Sequence, residues 1–163
     1  MRKPLKEKGF TLIEMIVAVA LLAVAGTAVA SLFMNAQVNN MKARDLDQST
    51  ARCSAWIEQI KASPEVWING EPSSQDSLLI KNGQGSYIAF YDKEWQPILD
   101  EKEISAGAEY TITIDLYEMP DNAGLWTLEA RAVKIKPYFL RNEANTEILK
   151  LSTMAEYFME VTP

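Results

Sequence analysis

Glu14 is the residue whose placement most needs a chemical explanation. It stands between Ile13 and Met15 at the mouth of a run that holds no charge from Met15 to Met34, and the next basic residue is Lys42. An ionised carboxylate at the centre of a membrane helix costs about 2.5 to 3.5 kcal/mol, and less towards the edge. Such a group calls for an opposite charge or strong hydrogen-bond donors. The residue types that carry catalysis are scarce elsewhere. There is no histidine, which removes the commonest general base and zinc ligand, and Cys53 is the single cysteine. A Ser-His-Asp set, a Cys-His pair and a Cys-x-x-Cys are therefore all excluded. Asn82-Gly83-Gln84-Gly85-Ser86 has two glycines but lacks the lysine and following helix of a phosphate loop, and reads as a turn. Asp121-Asn122 offers oxygens to calcium at a spacing that fits no recognised loop. No two acidic residues are marked as a pair for glycoside chemistry. The expectation is a chain with no catalytic residues, cofactor or metal.

The element that must position Glu14 is the apolar run itself. Met15 to Met34 is twenty residues, softened only by Gly26, Thr27 and Ser31. As a helix it reaches roughly 30 Å, the thickness of a bilayer's hydrocarbon core. Before it, Arg2, Lys3, Lys6 and Lys8 outweigh Glu7. Basic flanks stay on the cytoplasmic side, so the expected orientation is N-terminus inside, with the acidic remainder across the membrane. Two rival readings concern the same run. Ala23-Val24-Ala25 and Ala28-Val29-Ala30 have the small-x-small form of a signal-peptidase site, which would release a secreted protein. Gly26-Thr27 marks either a local loss of helix or a place where small residues let helices approach closely.

The octapeptide Gly9 to Ile16, Gly-Phe-Thr-Leu-Ile-Glu-Met-Ile, behind a short basic leader, resembles the processing site of type IV prepilins and type II secretion pseudopilins. The resemblance covers about Lys8 to Met34. It implies that prepilin peptidase cuts after Gly9 and N-methylates the new first residue, Phe10. It also implies that Glu14 pairs with the methylated ammonium of Phe10 on a neighbouring subunit as helices bundle into a filament core. Phe10 and Glu14 are four apart, so a pairing within one helix is the alternative. The partners implied are prepilin peptidase, other pilin or pseudopilin subunits, an assembly platform protein and, before assembly, the cytoplasmic membrane. Related pilins often close the C-terminal region with a disulfide and carry a proline in the helix; this chain has one cysteine and no proline between Pro4 and Pro64.

Beyond Met34, Val38, Met41, Leu46, Cys53, Ile57 and Ile60 fall at mostly helical spacings, with Lys42, Arg44, Asp45, Asp47 and Glu58 assigned to other faces. The expected helix runs on to Ala62 and stops before Pro64. Ser63 to Asp76 reads as connecting loop anchored by Val66-Trp67-Ile68, and Asp100-Glu101-Lys102-Glu103 as a solvated loop. Tyr87 to Tyr91 is β-favouring. Tyr110 to Glu118 alternates as a half-buried strand, and Met119 to Gly124 turns it into Leu125 to Ile135. In that second strand Trp126, Leu128, Ala130 and Ala132 share a face but Val133 and Ile135 break the phase. This predicts a β-bulge near Ala132-Val133 or burial on both sides. Glu147 to Phe158 is the last strand. The fold class is α+β: a long N-terminal helix covering a small antiparallel sheet. Its divisions are a leader at 1–9, a membrane or filament-core helix at 10–34, an amphipathic continuation at 35–62 and a β-rich head at 63–163.

The formal charge of −6, which becomes more negative once Arg2, Lys3, Lys6 and Lys8 are lost with residues 1–9, argues against nucleic acid as a direct partner. Cys53 reads as a small buried apolar residue. Of the four tryptophans, Trp56 and Trp126 read as core, and Trp67 and Trp95 as contacts between subunits. The leading reading is a structural subunit, a minor pilin or pseudopilin, of a type IV pilus, competence pseudopilus or secretion filament. The alternatives are a single-pass tethered binding module of the cell envelope and a secreted hydrolase cut after Ala25 or Ala30.

Overall fold

The computed structural model describes residues 11–68, 80–81, 85–120, 122, 124–139 and 141–156. Two units divide the chain, 1–40 and 41–163. Helix α1, Leu12–Ala62, is 51 residues long and continuous through Gly26. There the Thr27 hydroxyl donates to the Val24 carbonyl at 2.8 Å, and the Ser31 hydroxyl to that of Thr27 at 3.0 Å. Both side chains thus find acceptors on their own helix, and α1 is unbroken at Gly26 in the single chain. In the first unit every described residue from Thr11 to Gln37 is exposed, so the apolar run meets no other part of its own unit.

In the second unit, α1 ends where expected. Ser63 N–H bonds back to the Ile60 carbonyl at 3.3 Å, and Pro64 opens a second short helix, α2, Pro64–Ile68. Proline suits the first position of a helix because that N–H has no intrahelical partner. The segment expected to be loop is therefore helical around its anchor, and Trp67 is buried. The Asp100–Glu103 run is likewise helical. It begins α3, Glu101–Gly107, capped by the Asp100 carboxylate, which accepts from Lys102 N–H at 2.8 Å. A charge run that starts with a good N-cap has this option open.

The strands are β1 Ile80–Lys81, β2 Ser86–Tyr91, β3 Pro97–Ile98, β4 Tyr110–Glu118, β5 Leu125–Lys134 and β6 Thr146–Glu156. They form an antiparallel sheet in the order β1-β2-β4-β5-β6, with β3 pairing β2. On β4, Tyr110, Ile112, Ile114 and Leu116 are buried, as their alternation predicts. Gly85 enters β2 at φ +75°, where an added Cβ would lie 2.5 Å from the Leu116 carbonyl oxygen. Only glycine accommodates both the conformation and the approach.

The irregularity near Ala132-Val133 is present, as a register shift between β5 and β6. Its basis differs from the phase flip read in the sequence. β5 keeps its alternation, with Leu128, Ala130, Ala132 and Lys134 all buried. The apolar pattern breaks because the inward position after Ala132 belongs to a lysine, and the extra residue, Ile148, is inserted on β6.

The core joins Cys53, Trp56 and Ile60 of α1 to Trp67, Tyr87, Tyr91, Trp95 and the inner faces of β4 and β5. Two buried positions on α1 were not foreseen: Asp45 and Ser49 face inward, whereas Met41 and Leu46 are exposed. The buried stripe is thus Asp45, Ser49, Cys53, Trp56, Ile60, still at spacings of three and four.

Candidate functional site

The N-terminal site begins at Thr11, which caps α1. Its backbone N–H and its hydroxyl both donate to Glu14 Oε2 at 2.8 Å, and Glu14 N–H donates back to the Thr11 hydroxyl at 3.3 Å. Threonine at the cap with glutamate three residues on is a capping box, and it satisfies otherwise orphaned donors of the first turn. Neither the pairing with Phe10 nor the cost of the lone carboxylate revealed this partner; the spacing Thr-x-x-Glu was the available signal. Among the described residues Glu14 Oε1 accepts no hydrogen bond and Glu14 forms no ion pair. Beside it Ile13, Val17, Ala18 and Leu21 form an exposed apolar face of α1. The helix offers a span of mean hydropathy 2.5. Gly9 and Phe10 lie outside the described residues.

A second polar constellation, in the other unit, was missed altogether because it joins distant parts of the chain. Lys134, 1% exposed, donates to Glu109 Oε1 at 2.7 Å and to the Tyr110 hydroxyl at 2.9 Å. Its ammonium lies 4.1 Å from the centre of the Tyr110 ring and 5.0 Å from that of Tyr138. Asp45 Oδ1 accepts from the Tyr110 hydroxyl at 2.9 Å and from the Trp95 indole at 3.4 Å, and Oδ2 stands 3.9 Å from Lys134. Burial raises the Tyr110 and Tyr138 phenols far above their usual range, and the neighbouring Asp45 carboxylate adds to the effect. A buried carboxylate and ammonium offset each other's desolvation only when so surrounded. This is a structural network; it joins α1 to β4 and β5.

Trp67 and Trp95, assigned to subunit contacts, are instead 3% and 1% exposed. Trp67 meets Trp56 and Tyr87 edge-on, with ring centres 6.2 and 5.2 Å apart, and Trp95 stacks on Tyr110 at 4.1 Å. Trp67 is buried because the segment expected to be loop is the short helix α2, and Trp95 because the β2–β3 turn seats its ring on Tyr110. Cys53 is fully buried, and burial pushes its thiol up to about 11. Of Asp121-Asn122, Asp121 lies outside the described residues, and among the described residues no group of three or more metal-ligating side chains converges.

A family model described as the prokaryotic N-terminal methylation motif matches residues 4–30. No curated protein and no solved structure matches the chain. The matched stretch contains Gly9, Phe10 and Glu14 and most of the apolar run, and does not extend to the head. The motif and the apolar helix together fit a membrane-anchored pilin. The methylation motif at the N-terminus, on a long helix whose far end packs against an antiparallel sheet, supports a type IV prepilin- or pseudopilin-like protein.

Proposed function

We propose that the chain is a structural subunit of a type IV pilus, competence pseudopilus or type II secretion filament, stored in the cytoplasmic membrane with its N-terminus inside. Prepilin peptidase cuts after Gly9 and methylates Phe10, and an assembly platform protein passes the product into the filament. The divisions proposed are leader 1–9, filament-core helix 10–34, its amphipathic continuation 35–62 and head 63–163. The single observation that carries this reading is Glu14 at the mouth of an uncharged helix inside the matched motif, with Oε1 left to accept from a neighbour's Phe10 ammonium. An ammonium meeting that oxygen offsets the carboxylate's cost where lipid alone does not. A minor subunit is favoured over a major one by the lack of a head disulfide.

The rival tethered binding module draws support from the Thr11–Glu14 capping box, which gives Glu14 a role within a solitary helix. Two measurements separate them. The mass of the mature protein is expected to correspond to a methylated N-terminal Phe10; retention of residues 1–9, or a start at Gly26 or Ser31, overturns the proposal. Glu14→Ala is expected to leave membrane insertion intact while filament incorporation falls, whereas a monomeric tether tolerates the change.

A further inference from the structure

Trp95 combines three properties that rarely occur together: a bulky side chain, φ of +61° and 1% exposure. A large residue in the left-handed region is strained and persists only when its surroundings over-determine it. The turn around it is closed locally by Asp92, whose Oδ1 accepts from Glu94 N–H at 2.9 Å and Gln96 N–H at 2.8 Å. Asp92 N–H bonds to the Gln96 carbonyl at 2.9 Å. Those bonds shape the backbone but do not reach the indole. The ring is held by the Tyr110 stack, by Tyr91 at 5.8 Å between ring centres, and by Asp45, the one polar partner of the indole N–H among the described residues.

Asp45 belongs to α1, fifty positions earlier in the chain, and its Oδ2 is buried without a hydrogen-bond partner among the described residues. Beside it lies a cleft of about 210 Å³, lined by Met41 and Arg44 of α1, by Glu109 and Tyr110, and by Lys93 and Glu94 of the turn itself. The closed turn and the seated helix therefore share one carboxylate.

We propose that Asp45 is a positioning residue that latches the β2–β3 turn, so that Trp95 keeps its left-handed conformation while this part of α1 is seated on the sheet and the turn opens when it is not. The inference concerns the second unit alone and does not depend on filament assembly. Limited trypsin digestion of the full chain in detergent micelles, with fragments identified by mass, tests it. The Lys93 side chain is 72% exposed, so cleavage after it reports how often the turn opens, while cleavage after exposed Arg141 serves as reference. Asp45→Ala is expected to accelerate cleavage after Lys93 at least about tenfold relative to Arg141, and Asp45→Asn, which keeps the Oδ1 acceptor, to stay within about 1.5-fold of wild type. Should Asp45→Ala fail to fold, Tyr110→Phe keeps the stacked ring while removing a donor to Asp45, and is expected to raise the ratio by about threefold. Parallel acceleration at both sites, an Asn variant as susceptible as the Ala variant, or an unchanged ratio in Tyr110→Phe overturns the latch.

Discussion

Replacing Lys134 with methionine isolates the contribution of the buried network to the fold. The substitution keeps most of the apolar stem and removes the ammonium that meets Glu109 at 2.7 Å and the Tyr110 hydroxyl at 2.9 Å. Asp45, with its side chain 5% exposed, then stays buried as an uncompensated charge. Breaking a buried pair from one side costs about 3–5 kcal/mol. The Glu109 side chain is 21% exposed, so water recovers part of its loss and the expected figure lies at the low end, about 3 kcal/mol. In a chain of this length each kcal/mol moves the melting midpoint by about 2–4 °C, which predicts a fall of about 6–12 °C. Thermal unfolding in detergent, followed by near-ultraviolet circular dichroism of the tryptophans, measures it. Asp45→Asn combined with Lys134→Met removes both charges while keeping an acceptor for Tyr110 and Trp95, and is expected to recover more than half of the loss. A cost below about 1 kcal/mol for the single variant, or a double variant no more stable than the single, refutes the reasoning.

Gly85→Ala forces a Cβ to within 2.5 Å of the Leu116 oxygen at φ +75°, and should cost about 1–3 kcal/mol in urea denaturation; a neutral result would mean that the β2 entry relaxes freely. Cys53, buried and with its thiol pushed up to about 11, is expected to resist a maleimide at pH 8 until urea is added, and reaction of the folded chain at the unfolded rate contradicts its burial. Burial also raises the phenols of Tyr87, Tyr91, Tyr110 and Tyr138 above their unfolded value of 10.0. Their contribution to stability is therefore complete below pH 10 and is lost as pH rises above it, because the unfolded chain ionises first. Phenolate absorbance and loss of tryptophan dichroism should rise together in one alkaline transition; titration of all six tyrosines near pH 10 with the dichroism intact is the contrary outcome.

The parts of the fold legible in the sequence are those set by local periodicity and by residues with one geometric option. The uncharged run from Met15 to Met34, the stop before Pro64, the alternation of Tyr110 to Leu116 and the turn into β5 each follow from neighbours a few positions apart. The Thr11–Glu14 capping box is equally local, three residues in span, and was there to be read. The apolar pattern is not the whole account of burial. Its charge places Asp45 on another face of α1, and Lys134 interrupts the apolar face of β5; each is buried because the other is, with Tyr110 between them.

The sequence by itself determined the membrane-length helix, the N-terminal methylation motif within residues 4–30, the odd acid at Glu14 and the α+β class, since each is encoded in contiguous residues. Only the tertiary structure decided which face of α1 is buried, where the tryptophans lie and how Asp45, Trp95, Glu109, Tyr110 and Lys134 meet. Those contacts join residues up to 89 positions apart, as between Asp45 and Lys134. The energy that buries a charge comes from partners brought in by other strands, and a one-dimensional pattern records a residue's own polarity but not the company the fold assigns to it.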